Sequence, residues 1–441
     1  MVLKEIDPDL LASLDCPAPR YTSYPTAPAW HNIEENVYLR ALERFDEHDS
    51  PLSLYVHIPF CKTMCLFCGC SVILNRREDR QDEYVEALLE EARLIVFKKK
   101  HLLTQLHLGG GTPTQLTEDQ LTRLYKGLVE IFPLDQAAEI SIEVDPRNGT
   151  DKLELLKNLG FNRISFGVQD TDPAVQKAIH RYQSYEMTRD TMLKARALKF
   201  DSINMDLIYG LPLQTLSSFT DTISKIIEMS PDRIALFSYA KIPWLKAHQK
   251  AIPEESLPST PIKFALYAHA RKALIEAGYL PIGMDHFAKK EDELTLAFEE
   301  KRLQRNFQGY SLKKAENMLG LGVTSIGYIG GAYIQNAKDL QSYYALIKEK
   351  KIPVQKGFVL GKEDLLRRAL IQKLMCDFEI DKAAFKQEWG EEFDVLFQID
   401  SDLVINNEKW FKATPIGALF IRNIAMHFDA YINKGHFSKA I

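Results

Sequence analysis

The chain has 441 residues, enough for two or three domains at roughly 150 residues each. Its 46% hydrophobic and 26% charged content, with 22 Gly and 20 Pro, is ordinary for a globular protein and excludes disordered, collagen-like and coiled-coil classes. A net charge of −5 leaves no basic footprint for nucleic acid or an anionic membrane surface, and no run of about eighteen apolar residues offers a spanning helix. The opening MVLKEIDPDLLASLDC has acidic residues and no apolar core for a signal peptide, so a cytoplasmic location is expected.

In chain order, residues 1–50 hold no strong periodicity and read as an ordered arm around PRYTSYPT (19–26), where two prolines bracket a polar, aromatic stretch. A regular alternation follows. Strands are expected at LSLYVHI (52–58), QLHL (105–108), EISIEV (139–144), RISFGVQ (163–169), SINMDLIYG (202–210) and RIALFSYA (233–240). Helices are expected over 78–95, from about Thr117 with capping-box form, and over 151–159, 173–199, 215–229 and 261–277. Short strands rich in Ile, Val, Leu and Phe suit a parallel sheet buried on both faces. Six strand–helix units fit an open doubly wound sheet or a partial (β/α) barrel, with chemistry at the carboxyl ends of the strands in either case. The remainder of 51–350 reads as an extension of that unit.

Residues 351–441 form a third segment: helices over 362–376 and 381–389, a hairpin at Asn406-Asn407, and a last helix over 415–433. That order is winged-helix-like, but its 13 Lys+Arg balance 13 Asp+Glu, which argues against nucleic acid. A lid or packing role is expected.

Four of the six cysteines, Cys61, Cys65, Cys68 and Cys70, fall within ten residues just past the first strand. A disulfide framework would spread its cysteines along a small secreted chain, so this crowding points to metal or cluster ligation. The spacing Cys61-x3-Cys65-x2-Cys68 can supply three corners of a cubane iron–sulfur cluster and leave one iron open. The other reading is a structural zinc on all four cysteines, which lacks the usual second pair of ligands. Further strand ends carry Gly109-Gly110-Gly111-Thr112, Glu143 with Asp145, Gln169 and Asp206, so five successive strands deliver polar or glycine-rich groups to one rim.

CKTMCLFC resembles the signature of the radical S-adenosylmethionine (SAM) enzymes, in which an aromatic residue, here Phe67, precedes the last cysteine. The likeness extends through PRYTSYPTA, YVHIPFC, CxFCGC, HLGGGTPT, EISIEVDPR, FNRISFGVQD, NMDLIYGLP, GMDHFA, RNFQGY and LGLGVTSIG to one family, the oxygen-independent coproporphyrinogen III oxidases. The resemblance implies an α/β fold, a partial (β/α)6 barrel with an N-terminal arm and a mainly helical C-terminal domain. It implies oxidative decarboxylation of two propionates of coproporphyrinogen III to vinyl groups, through a 5′-deoxyadenosyl radical generated from SAM at a 4Fe–4S cluster. Cys61, Cys65 and Cys68 would hold that cluster. Tyr55, Gly110, Glu143 and Ile326 would contact the cluster-bound SAM. Phe67, Gly111, Thr112, Gln169, Arg181, Asp206 and Ala240 would contact a second SAM. Cys70 matches a cysteine that is not a ligand. An unidentified low-potential electron donor and an electron acceptor are implied as partners, and a monomer is expected.

Substrate carboxylates call for cations, and Arg20 and Arg305 are the candidates for binding them. The competing reading is a haem-binding chaperone of the same superfamily, which would lack both the PRYTSYPT arm and the extra cysteine of CGC.

Overall fold

The computed structural model describes residues 6–312, 316–390, 394–399 and 401–440. Six parallel strands, β1 (Leu52–Ile58), β2 (Leu103–Gly110), β3 (Leu134–Val144), β4 (Arg163–Gln169), β5 (Ser202–Tyr209) and β6 (Arg233–Ser238), pair in chain order. Helices α1 (Glu78–Leu94), α2 (Glu118–Ile131), α3 (Leu153–Asn158), α4 (Tyr185–Ala197), α5 (Leu216–Met229) and α6 (Thr260–Glu276) follow the successive strands. β1 and β6 do not pair with each other. Asn317–Leu321 adds parallel to β1, and His286–Lys289 adds antiparallel to β6, so the barrel is open and partial, as expected.

The apolar runs explain the arrangement. Leu54, Val56, Leu106, Leu108, Ile142, Phe166, Met205 and Leu207 are fully buried. These residues alternate along their strands and join one apolar core with the crossover helices, while the intervening Ser141, Glu143, Ser165, Asn204 and Asp206 face the interior of the barrel, so the expected sheet buried in apolar contacts on both faces is apolar on one. Thr117 and Gln120 close α2 with the expected reciprocal capping box. The expected stretch 173–199 divides into Pro173–Ala178 and α4, because His180 enters the left-handed region (φ 54°) and Ser184 caps a new helix.

Beyond the sixth unit, antiparallel strands Ile326–Ile329, Ala332–Asn336 and Val354–Val359 extend the sheet to 13 strands, with His31–Asn32 at one edge. The sheet thus continues past residue 350. Lys362–Asp377 and Lys382–Trp389 are helical, and Val404–Asn406 pairs with Trp410–Ala413 as a hairpin. Its turn starts one residue later than expected, because the Asn407 side chain accepts the Lys409 and Trp410 N–H groups. The expected last helix over 415–433 is broken into Gly417–Phe420, Ile421–Met426 and Ile432–Lys434. Phe420 leaves helical geometry (φ −116°, ψ 31°), and buried Asp429 takes bonds from Tyr21 and from the Tyr431 N–H. The arm supplies that tyrosine. Ala18, Tyr21 and Tyr24 are buried, and Arg422 donates to the Ala18 and Pro19 carbonyls.

One buried carboxylate ties α1 to the extension. Glu91 accepts from Gly322 N (2.8 Å), Asn336 Nδ2 (2.6 Å) and Tyr343 Oη (2.6 Å), and burial pushes its carboxyl up to about 7. The unfolded chain ionises this group near 4.5, so the folded state holds the extra proton and stability falls as pH rises from about 4.5 to about 7. The expected loss is on the order of 3 kcal/mol. Urea unfolding at about pH 5.5 and 7.5 should show roughly 2 kcal/mol of this drop in the native protein and a clearly smaller one in Glu91→Gln; equal drops would contradict it.

Candidate active site

The cysteine loop leaves the buried end of β1 through Pro59-Phe60 and lies across the carboxyl ends of the next strands. Cys61, Cys65, Cys68 and Cys70 all line one cavity of about 560 Å³, and all six cysteines are free thiols. Gly110, Gly111, Thr112, Glu143, Gln169, Arg181, Asp206, Phe67, Arg20 and Arg305 line the same cavity. Of the residues singled out from the sequence, Tyr55, Ala240 and Ile326 are not among its lining. Tyr55 stacks on His107, which is, and its hydroxyl donates to His57 Nδ1. Ile326 packs against the Trp30, Tyr328, Tyr333 and Leu360 cluster. The Ala240 carbonyl accepts from Gln249.

The glycines are there for lack of room. Gly110 has φ +119°, and a Cβ on it would lie 2.6 Å from the His57 ring. A Cβ on Gly111 would lie 2.6 Å from the Pro59 carbonyl oxygen, so the β2 loop can approach the cysteine loop only without a side chain. Gly110 N–H donates to Glu143 Oε2 (3.0 Å), and His107 Nε2 lies 3.7 Å from Glu143 Oε1. Burial pushes the Glu143 carboxyl up, but His107 and that N–H outweigh it and hold the group below its ordinary value. Glu143 therefore stays ionised toward the cavity. Asp206, deeper in the barrel, is instead raised to about 6 by burial and by the charge of Glu143, while Asn204 and Ser165 donate to it.

Around Cys65 the charges are arranged differently. Asp145 takes Arg147 through two bonds (3.0 and 2.6 Å) and lies 3.5 Å from Arg181. Both arginines then point an N–H at Cys65 Sγ, each at 3.8 Å. Arg181 is only 6% exposed. Its Nε is buried with no hydrogen-bond partner among the described residues. Cys61 Sγ lies 3.3 Å from Thr112 Oγ1, and burial raises its thiol to about 11. A hydrogen bond with Cys70 draws the Cys68 thiol down to about 7 and pushes Cys70 up, which gives the extra cysteine a donor's part.

This donor set fits an iron–sulfur cluster: three thiols on one loop, two arginines against one of them, and a glycine rim that admits a ligand's polar groups. Among the described residues no three His, Cys, Asp or Glu side chains converge as a single-ion site. The corners of a cluster are separate iron atoms and do not require such convergence.

The sequence did not expose the residues that hold the loop. Past β6 the chain folds back, and Lys246 donates to Cys70 O (2.7 Å), His248 to Cys68 O (2.8 Å) and Gln249 to Phe67 O (2.8 Å). Gln249 also bonds Ala240 O and Ile242 N and is fully buried. No spacing rule links residues about 180 apart, so only folding reveals this clamp. Gln249→Ala leaves these groups unpaired, at a cost of about 1–3 kcal/mol. It should also shorten the time for which reconstituted protein retains iron on a desalting column; unchanged retention would show that the clamp is not needed.

Residues 55–226 match the family model described as the radical SAM superfamily. The chain is 43% identical over 446 residues to the oxygen-independent coproporphyrinogen III oxidase of Salmonella typhimurium, covering 98% of this chain and 97% of that one. It is 40% identical to the Helicobacter pylori protein of the same name, with both chains fully covered. The solved coproporphyrinogen III oxidase of Escherichia coli, described as a radical SAM enzyme, superposes with a TM-score of 0.90 at 40% identity, over 97% of this chain and 99% of that one. The family carries a 4Fe–4S cluster and SAM, and the residues gathered here fit both. The chain belongs to the radical SAM superfamily and, within it, to the oxygen-independent coproporphyrinogen III oxidases.

Proposed function

We propose that this protein converts coproporphyrinogen III to protoporphyrinogen IX without oxygen, by oxidative decarboxylation of two propionates to vinyl groups, as a step of haem biosynthesis. The observation that carries this reading is the shared cavity. The cysteine loop, the glycine rim and the Arg20 arm open onto one space in a chain matched nearly end to end by enzymes of that name. Cys61, Cys65 and Cys68 hold the cluster, one SAM binds near Tyr55, Gly110, Glu143 and Ile326, and a second binds near Phe67, Gly111, Thr112, Gln169, Arg181, Asp206 and Ala240. When bound, cluster and SAM supply a 5′-deoxyadenosyl radical able to take a hydrogen atom from the β-carbon of a propionate, with carbon dioxide and one electron, passed to an acceptor, leaving afterwards.

The chain's own work is positioning and exclusion of water. An unactivated C–H bond yields to no side-chain base at accessible pKa, so no general base is required of this site. Ionised Glu143 accepts hydrogen bonds from an ammonium or ribose group. Arg147 and Arg181 supply N–H groups and positive charge beside a cluster thiolate. Arg20 and Thr22 of the arm line the cavity. The same reading takes the chain as a cytoplasmic monomer of three parts: an arm over 1–50, a barrel whose extension runs past the expected boundary at 350 through the strand Val354–Val359, and a C-terminal domain after it.

Anaerobically reconstituted protein, given SAM, a low-potential reductant and coproporphyrinogen III, should form protoporphyrinogen IX together with 5′-deoxyadenosine by chromatography. Cys65→Ala should abolish both products. SAM cleavage without decarboxylated product would overturn the substrate, and activity surviving in Cys65→Ala would overturn the ligand set. Glu143→Gln should weaken SAM binding about tenfold in equilibrium dialysis, the loss of one charge-assisted hydrogen bond.

A further inference from the structure

The antiparallel strand His286–Lys289 lies along β6, at the end of the strand order away from the cysteine loop. Its first residue, His286, pairs in register with Ala235, and Ala235 pairs with Asp206 of β5. Partners in register point to the same face of a sheet, so Asp206, Ala235 and His286 form one row. The middle member offers only a methyl between the carboxylate and the imidazole. Asp206 and His286 both line the main cavity, and no step of the proposed reaction uses His286.

The imidazole is held in one orientation. Burial pushes the Asp285 carboxyl up, but Arg305, the His286 ring and Arg20 outweigh it and hold the group ionised, well below the usual carboxylate range. Asp285 Oδ1 lies 2.7 Å from His286 Nδ1, and an ionised carboxylate only accepts, so Nδ1 carries a hydrogen. Phe237 and Tyr310 meet the ring edge-on, with centroids at 5.8 and 5.3 Å. A Cβ on Gly309, which has φ +100°, would lie 3.0 Å from Nε2, so the backbone passes beside that nitrogen without covering it. Nε2 has no hydrogen-bond partner among the described residues, although His286 is only 7% exposed. The neutral ring therefore presents an unused lone pair to the cavity. Arg305 lies 3.3 Å from Asp285 and donates to the Arg20 carbonyl (3.0 Å), so it serves this pair rather than the substrate carboxylate expected of it from the sequence.

We propose that His286 Nε2 accepts a hydrogen bond from a pyrrole N–H of the bound tetrapyrrole, with Asp285 as the positioning residue behind it. The inference rests on the coproporphyrinogen reading. A porphyrinogen gathers its pyrrole N–H groups at its centre, with no acceptor there, and carries its carboxylates at the periphery. Taken out of water, that core needs lone pairs from the protein, since a buried donor left unpaired is costly. A propionate fits this position poorly: the Nε2 lone pair repels it, Asp285 stands behind the ring and Asp206 lies across the row.

The test is anaerobic equilibrium dialysis of the reconstituted protein against coproporphyrinogen III and, separately, its uncharged tetramethyl ester, each oxidised afterwards to the porphyrin for quantitation. His286→Phe keeps a flat ring but has no lone pair, and it should bind acid and ester alike about tenfold more weakly, with SAM affinity unchanged. His286→Gln, whose amide oxygen can accept, should stay within about threefold of the native protein. His286→Leu should lose as much as His286→Phe and keeps the test open should His286→Phe fold poorly. A loss confined to the acid would give the nitrogen to a propionate, and a loss of SAM affinity would give it to SAM. Either result overturns the proposal, as does unchanged affinity for both porphyrinogens or His286→Gln binding as weakly as His286→Phe. Native turnover of coproporphyrinogen III alongside any of these would leave the function standing and remove the His286 contact alone. A native protein that binds no coproporphyrinogen III would remove both.

Discussion

Asp145 at the end of β3 is the point on which the site depends. Its carboxylate is buried, and burial alone would push it up, but Arg181 and Arg147 hold it ionised. In return it fixes two guanidinium groups in a place where neither could sit unpaired. Those groups reach the Cys65 thiol, which belongs to the loop after β1. Three strand ends are thereby joined by one charge network, and its outermost member is a sulfur. A buried network of this kind is valuable only when complete, since losing one partner strands the others without water.

Around that network the molecule divides its work simply. The strands give one face to the apolar core and carry Ser141, Glu143, Ser165, Asn204 and Asp206 along the face that lines the cavity. Glycines at the end of β2 let two loops meet at backbone distance, and Glu143 meets the Gly110 N–H at the same rim. The chain after β6 returns to hold the cysteine loop by its carbonyls. The arm and the segment around Arg422 close the other side, where positive charge collects.

Much of this was legible before folding. β1 and β4 run over the residues their patterns mark, 52–58 and 163–169: β1 is buried along nearly its whole length, and β4 alternates buried and half-buried residues with the period of a strand. The cysteine spacing and the rim glycines were legible for chemical reasons. β3 begins at Leu134, earlier than expected, because its first residues are partly exposed and lack that signature. The antiparallel extension over 279–359 was hidden because its strands are short and its pairing is nonlocal. Lys246, His248 and Gln249 were invisible because the carbonyls they hold lie about 180 residues away in sequence. The last helix was overread because its apolar spacing continues through Phe420 and Asp429, where tertiary contacts with the barrel and the arm override local preference.

The central claim is that three thiols of one loop leave one iron of a cluster open to SAM. Mössbauer spectroscopy of protein reconstituted with isotopically enriched iron, before and after adding SAM, addresses it most directly. The account predicts that one iron in four changes its spectrum when SAM is added, while the other three keep tetrahedral sulfur parameters. Four equivalent irons indifferent to SAM would contradict it.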